Sequence, residues 1–197
     1  MLVDTVVVSA LVGKLRGGSL SNLGEVPLKK VEIIVAAFAA EVLIVALGLR
    51  GIEFVSVMAP YVFFCAYASL LYAVWVNRGI RWMPLIGLGI LLNFAVILAN
   101  SMRMPVSADA LAAAGMSQQV AAIEAGKVLT YRLMDSTTRL RLLGDVIPVG
   151  SPYPIHRAVS IGDLVMALGV FLLIQREMLI KRTRASLGRK FDTLTRP

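Results

Sequence analysis

Residues 31–49 read VEIIVAAFAAEVLIVALGL, and this stretch decides the class of the protein. Its only charged residues are Glu32, near the start, and Glu41, near the middle. A helix needs about 20 mostly apolar residues, each adding about 1.5 Å, to cross about 30 Å of membrane hydrocarbon. Val31–Leu49 therefore predicts a transmembrane helix.

Four further segments have the composition of membrane helices. Three of them are long enough to span: Phe54–Val76, Arg81–Ala99 and Val159–Ile180. The fourth, Leu2–Leu15, would be only about 21 Å long as a helix. It also carries Asp4, so it either spans with the help of neighbouring residues or enters the membrane partway.

The composition of the chain supports a membrane protein. Of its 197 residues, 58% are hydrophobic and 16% are charged, against about 45–50% and about 25% in soluble domains. So little charge excludes an ordinary soluble domain and a disordered chain. Cys65 is the only cysteine, which excludes a disulfide-stapled domain. We predict an all-α fold, a polytopic transmembrane helix bundle of about five helices, with a partly helical external loop.

A single membrane-embedded domain is expected, in four parts. They are the four N-terminal helices (1–99), the external loop (100–158), the last transmembrane helix (159–180) and a basic cytoplasmic tail (181–197). In the loop, Ser107 and Ser117 stand where N-caps belong, which predicts helices over about 108–114 and 118–125.

Lysine and arginine predict the orientation, because basic loops beside membrane spans stay cytoplasmic. Segments 14–30, 77–81 and 181–197 are rich in Lys and Arg and poor in Asp and Glu. Pairs of predicted spans separate these segments, so all three can lie on one side of the membrane. The C-terminus is therefore predicted to be cytoplasmic. The loop 100–158, with six basic and four acidic residues, is predicted to be external.

The net charge of +8 lies mostly in the predicted cytoplasmic segments and requires no nucleic acid to explain it. A Lys or Arg near a membrane surface is attracted to anionic phospholipids by about 1 kcal/mol. We expect such contacts from Lys14, Arg16, Lys29, Lys30, Lys181, Arg182 and Arg184.

Polar residues within the predicted spans are candidate functional residues, because charges inside a membrane are costly. They are Glu41, Asn93, Asn100 and Asp163, and we expect Glu41 to hydrogen-bond with Asn93. At the outer mouth of the bundle the candidates are Arg103, His156 and Arg157. One interpretation is a polar crevice for a small solute, a proton or a lipid headgroup. The other is structural, with asparagines joining helices and carboxylates capping helices or pairing with arginine.

The residue types that common catalytic and metal sites require are scarce. One histidine and one cysteine cannot supply a cluster of metal ligands, so we predict no metal and no cofactor. No nucleophile elbow surrounds Ser151 or Ser160. The sequence therefore leans towards a protein that is not an enzyme.

Several short motifs follow one another in a characteristic order. They are Gly17-Gly18-x-Leu20, Asn93-x-x-Val96-Ile97-x-Ala99-Asn100, Met104-Pro105-Val106, Leu143-Gly144-Asp145-Val146-Ile147-Pro148 and Ser160-Ile161-Gly162-Asp163. In this order they resemble a bacterial family of small polytopic membrane proteins known only as a domain of unknown function. The resemblance covers nearly the whole chain and implies a location in the cytoplasmic membrane and about five helices. It implies no activity, cofactor or catalytic residue.

Three functions agree with these observations. The first is a non-catalytic accessory or scaffold subunit that docks a protein partner through the external loop. The alternative is a small-solute or proton-coupled transporter or channel that uses Glu41 and the polar layer. It would need to form a homo-oligomer, because the chain is small and shows no inverted repeat. The third is a membrane enzyme acting on lipid-linked substrates at the outer interface, near Asp163, His156, Arg157 and Arg103.

Overall fold

The computed structural model describes residues 1–48, 50, 52–153 and 155–180. Over these residues the chain is mostly helical, with four strands of three residues each. The residues group into two compact units. The first unit contains Met1–Pro27 and the described residues from Val170 onward, and the second contains Leu28–Gly169.

The first unit contains helix α1 (Leu2–Leu15) and the second half of helix α7 (Ile161–Leu179). Gln175 Nε2 donates hydrogen bonds to the Ser9 carbonyl oxygen at 2.6 Å and to Ser9 Oγ at 3.1 Å. Both side chains are buried. A Cβ on Gly13 would lie 2.5 Å from Met178 Sδ, so the glycine allows the two helices to approach closely. The buried polar pair and the small-residue contact therefore both join α1 to the second half of α7.

Three apolar helices begin the second unit: α2 (Val31–Gly48), α3 (Glu53–Val76) and α4 (Met83–Ala99). Helix α2 packs against α3, and α3 packs against α4. The buried residues at the α2–α3 contact are Ile44, Val55, Ala59 and Phe63. Helices α2 and α3 are long and apolar enough to cross a membrane, judged by length and composition, and α4 is a shorter apolar helix.

Residues 100–160 form a folded segment with short strands. Strand β1 (Met104–Val106) pairs in parallel with β2 (Tyr131–Leu133), and β3 (Ile147–Val149) pairs antiparallel with β4 (Arg157–Val159). Between β1 and β2 the chain forms helices α5 (Ala108–Ala113) and α6 (Ser117–Glu124). The buried core of the segment consists of Val106, Ala110, Leu111, Ile123 and Ala158.

A helix occupies each of the five predicted apolar segments, and the observed bounds differ from the predicted ones by at most two residues. Among the described residues, two of these helices, α2 and α3, have the length and hydropathy of a membrane span. The mostly helical fold is confirmed, whereas a bundle of five membrane-spanning helices remains a prediction.

The loop predictions need two corrections. The expected all-α fold omitted four strands, because three residues are too few for the alternation of a strand to show in the sequence. Ser107 does cap α5, since its Oγ accepts a hydrogen bond from Ala110 N at 3.2 Å. Ser117 does not cap α6, because Met116 is the cap residue and Ser117 already lies in the first turn.

Candidate functional site

Ser160 and Asp163 close the first turn of α7. Asp163 N donates a hydrogen bond to Ser160 Oγ at 2.9 Å, and Ser160 N donates one to Asp163 Oδ2 at 3.3 Å. This reciprocal pairing has the form of a capping box, in which side chains satisfy the first N–H groups of a helix. The local sequence Ser-x-x-Asp therefore explains why Asp163 is held at the start of the helix.

Asn93 of α4 connects to this capped turn. Asn93 Nδ2 donates to Asp163 Oδ1 at 2.8 Å, and Ser160 Oγ donates to Asn93 Oδ1 at 2.8 Å. The structure thus brings together Asn93 and Asp163, two of the polar residues predicted from the sequence. The sequence predicted a hydrogen bond between Asn93 and Glu41. The side chain of Asn93 instead bonds with Ser160 and Asp163.

Asn100, at the end of α4, has a different role. Its Nδ2 donates to the carbonyl oxygens of Val96 at 2.8 Å and Arg139 at 2.9 Å, and Arg139 N donates to Asn100 Oδ1 at 3.0 Å. The side chain is fully buried, and both its amide nitrogen and its oxygen are engaged. Asn100 therefore joins α4 to the loop around Arg139.

Asp145 is held in place by strand β1. Asp145 N donates to the Pro105 carbonyl oxygen at 2.9 Å, and Ser107 N donates to the Asp145 carbonyl oxygen at 3.0 Å. A Cβ on Gly144 would lie 2.6 Å from the Pro105 carbonyl oxygen, so only a glycine allows this close approach of the two backbones. The motif Gly144-Asp145 therefore fixes the Asp145 backbone beside β1.

The Asp145 side chain is buried without a hydrogen-bond partner for one of its oxygens. The residue is 4% exposed, and Oδ1 has no partner among the described residues. Buried polar atoms in proteins are nearly always hydrogen-bonded, because leaving one unpaired costs about 1–3 kcal/mol. The unpaired oxygen therefore marks Asp145 as a candidate binding residue.

A cavity of about 210 Å³, here called the polar cavity, includes Asp145 in its wall and lies within the second unit. Helices α2, α3, α4 and α7 and the segment 100–158 all contribute to the wall. The residues that line it are Glu41, Phe63, Tyr67, Asn93, Ile97, Met102, Met104, Thr130, Tyr131, Asp145 and Asp163. Ligand pockets usually measure about 300–1,000 Å³, so this cavity would suit a solute of only a few non-hydrogen atoms.

The wall of the polar cavity is acidic. Glu41, Asp145 and Asp163 contribute carboxyl groups, and no Lys, Arg or His is among the lining residues. Burial raises the pKa of the Asp145 carboxyl to about 8, and the nearby Asp163 carboxyl adds to the rise. Burial also raises the pKa of the Tyr131 hydroxyl, with further contributions from Asp145 and Asp163. Asp145 therefore holds a proton at neutral pH, in a cavity that no basic residue of the described chain lines.

Aromatic rings form part of the same wall. Tyr67 stacks on Phe94 of α4, with ring centroids 5.6 Å apart and ring planes 5° from parallel. Phe63 is buried one turn before Tyr67 on α3, and Tyr131 reaches the cavity from β2. The carboxyl groups thus share the cavity with three aromatic side chains.

The other predicted site residues lie away from the polar cavity. Arg103 and His156 are exposed, and Arg157 is half-buried with its guanidinium carbon 6.0 Å from the centroid of the Tyr153 ring. The expected lipid-contact residues Lys14, Arg16, Lys29 and Lys30 are exposed. The remaining three, Lys181, Arg182 and Arg184, lie outside the described residues. Within the described part of the chain, no group of three His, Cys, Asp or Glu side chains could hold a metal ion.

Three residues of the cavity wall did not stand out in the sequence: Asp145, Tyr67 and Tyr131. Asp145 lies in the predicted loop, where a polar residue is not conspicuous, whereas Glu41, Asn93 and Asp163 lie in apolar segments. Tyr67 and Tyr131 are far apart in the sequence, and no local pattern connects them to one site.

The chain belongs to the family of unknown function DUF5317, whose model matches residues 25–175. This match confirms the resemblance to an uncharacterised domain family. It includes every residue that lines the polar cavity, and it leaves helix α1 outside. No curated protein and no solved structure matches the chain.

Proposed function

We propose that this protein is a multi-pass protein of the cytoplasmic membrane that binds a small solute in the polar cavity. The observation that carries the proposal is the Asp145 carboxyl, which is buried in the cavity wall and has one oxygen without a partner in the described part of the chain. The function of the family is unknown, so the family does not indicate which solute is bound. The proposal therefore depends on the geometry of the cavity.

The membrane location is supported by the apolar surface of two helices. Over the 18 residues of α2 that could span the membrane, only 11% are buried, and over the corresponding 18 residues of α3 only 22% are. The large exposed side chains of α2 include Val35, Phe38, Val42 and Leu43. Soluble monomers rarely expose contiguous apolar patches of this kind, whereas lipid covers them at no cost.

The orientation follows from the charges, as argued from the sequence. We place the basic segments 14–30 and 77–81 and the C-terminus on the cytoplasmic side, and residues 100–158 on the outer side. Exposed Lys14 and Lys29 would then contact anionic phospholipid headgroups. In this arrangement the polar cavity lies in the outer half of the protein.

Cysteine labelling in intact cells tests the orientation. In a Cys65→Ala background, we expect an impermeant maleimide to label Ser117→Cys and to leave Ser21→Cys unlabelled until the cells are opened. Both serines are exposed, so the two sites differ only in the side of the membrane on which we place them. If Ser21→Cys alone is labelled in intact cells, the orientation in the membrane is the opposite of the one proposed.

Access to the polar cavity tests solute binding. Thr130 lines the cavity, and a cysteine there differs little in size from threonine. In protein purified in nanodiscs, we expect the small neutral reagent methyl methanethiosulfonate to modify Thr130→Cys in the folded state. If Thr130→Cys reacts only after unfolding, the cavity is closed to solutes and the proposal is wrong.

A second candidate function, docking of a protein partner by residues 100–158, is favoured by one observation. Leu140 and Leu142 are 49% and 77% exposed, and Arg139 and Arg141 alternate with them. Large exposed apolar residues beside arginine are common in protein interfaces. This candidate is the accessory role first inferred from the sequence, and a purified complex that Leu142→Ser weakens would support it.

A further inference from the structure

We propose that the solute bound in the polar cavity is a small organic cation, an ammonium or guanidinium compound that contacts the carboxyl groups and the aromatic rings of the wall. This inference rests on the proposed function, because it names the chemical class of the solute for the same site. It goes further by stating the charge and the shape of that solute.

The charge of the wall gives the first argument. Three carboxyl groups reach the cavity from different elements: Glu41 from α2, Asp163 from α7 and Asp145 from the residues that follow Gly144. Among the described residues no basic side chain lines the cavity, so a negatively charged solute would find no opposite charge there. A cation would instead supply a partner for the buried Asp145 Oδ1, which has none among the described residues.

The aromatic side chains give the second argument. A cation over the face of a tyrosine or phenylalanine ring is attracted by the negative face of the ring. Phe63, Tyr67 and Tyr131 supply three rings in the same cavity as the carboxyl groups. The stack of Tyr67 on Phe94 fixes one of these rings before any solute arrives. Rings and carboxyl groups in the wall of one cavity suit a cation whose charge is spread over several atoms.

Binding of a cation would be coupled to release of a proton. Burial raises the pKa of Asp145 to about 8, so in the empty cavity its carboxyl is protonated at neutral pH. A cation beside it favours the carboxylate, and the balanced exchange is one bound cation for one released proton. The other titratable groups of the wall are Glu41, Asp163, Tyr67 and Tyr131, and none of them brings a positive charge.

The experiment compares reagents of opposite charge at one position. In the Cys65→Ala background, Thr130→Cys is treated with aminoethyl methanethiosulfonate, a cation, or with sulfonatoethyl methanethiosulfonate, an anion. We expect the ratio of cation to anion rates to be about tenfold or more higher at Thr130→Cys than at the exposed control Ser117→Cys, because an acidic cleft concentrates cations. Glu41→Gln should lower the ratio at neutral pH. Asp145→Asn should lower it only above about pH 8, where the Asp145 carboxyl is ionised. The exposed control Asp109→Asn should not lower it at either pH.

Protection by a solute completes the test. Tetramethylammonium ion should slow the modification of Thr130→Cys by the neutral methyl reagent, and tert-butanol, which is neutral and of similar shape, should not. The proposal of a cationic solute is wrong if both solutes protect equally, or if the ratio of rates equals that of Ser117→Cys. Either result would leave the proposal of a solute-binding cavity intact. Failure of the neutral reagent to react at all would instead overturn the proposed function.

Discussion

The side-chain amide of Asn93 and the carboxyl of Asp163 join α4 to the start of α7, with Asn93 Nδ2 lying 2.8 Å from Asp163 Oδ1. The contact depends on two glycines. A Cβ on Gly162 would collide with the Asn93 side chain, and one on Gly89 would lie 2.5 Å from the Gly162 carbonyl oxygen. Helices α4 and α7 can therefore approach closely enough to form these hydrogen bonds only because both positions lack a side chain.

The first prediction concerns this close contact. Gly→Ala within a helix normally stabilises a protein by about 0.5–1 kcal/mol, because glycine has more freedom to lose on folding. We expect Gly162→Ala to destabilise by about 1–3 kcal/mol instead, since the added methyl group must displace Asn93. Thermal unfolding in detergent measures the effect. The control is Gly79→Ala, where nothing lies within 4 Å, and equal stability of the two variants would contradict the packing.

The second prediction concerns Asn100. Asn100→Ala would leave the backbone N–H and carbonyl of Arg139 without their partners, which we expect to cost about 1–3 kcal/mol. The amide of Arg139 should also exchange its hydrogen faster, because the loop is no longer tied to α4. Hydrogen exchange measured by mass spectrometry reports this change. The exposed control Gln118→Ala should affect neither quantity, and unchanged exchange at Arg139 would refute the role of Asn100.

The sequence predicts the helices better than the site, for a physical reason. Helix α2 is apolar over its full length, and a local property of this kind places its ends to within one residue. Asp145 reaches the cavity wall because its backbone N–H bonds to the carbonyl oxygen of Pro105, 40 positions earlier, although Asp145 itself lies in no strand. No local sequence pattern predicts a contact between residues so far apart. Asn93 and Asp163 were recognised because a polar residue in an apolar segment is conspicuous by itself.

Asp135 provides a third prediction, on an exposed turn. The hydroxyl and then the N–H of Thr137 donate to its carboxyl, at 2.6 and 2.8 Å, and together with Arg132 they lower the pKa of Asp135 to about 2. A lowered pKa means that the carboxylate stabilises the turn above about pH 4 and that this contribution is lost as the pH falls through about 2.

The replacement Thr137→Val removes the largest cause of this shift, because valine has the shape of threonine without the hydroxyl. We expect the pKa of Asp135 to rise towards its ordinary value in this variant. The carboxyl chemical shift of Asp135, followed by NMR between pH 1.5 and about 6, measures it. Asp109 serves as the internal control, and a pKa for Asp135 that the replacement leaves unchanged would rule out the hydroxyl as its cause.

The last prediction concerns Asp145, whose pKa shift has the opposite sign. Burial raises the pKa to about 8 from a reference value of 3.8, so the folded protein holds this proton more tightly than the unfolded chain does. The resulting stability is fully present below about pH 4 and is lost as the pH rises through about 8.

Asp145→Asn keeps the shape of the side chain but cannot titrate. We therefore expect the melting temperature of the variant to fall less between pH 5 and pH 9 than that of the original protein, and to be the higher of the two at pH 9. Asp109→Asn is the matched control, since Asp109 is exposed in the same segment. If Asp145→Asn instead lowers the melting temperature equally at every pH, then the ionised carboxylate has a partner in the folded protein, and the cavity already contains the positive charge that the proposed cation would bring.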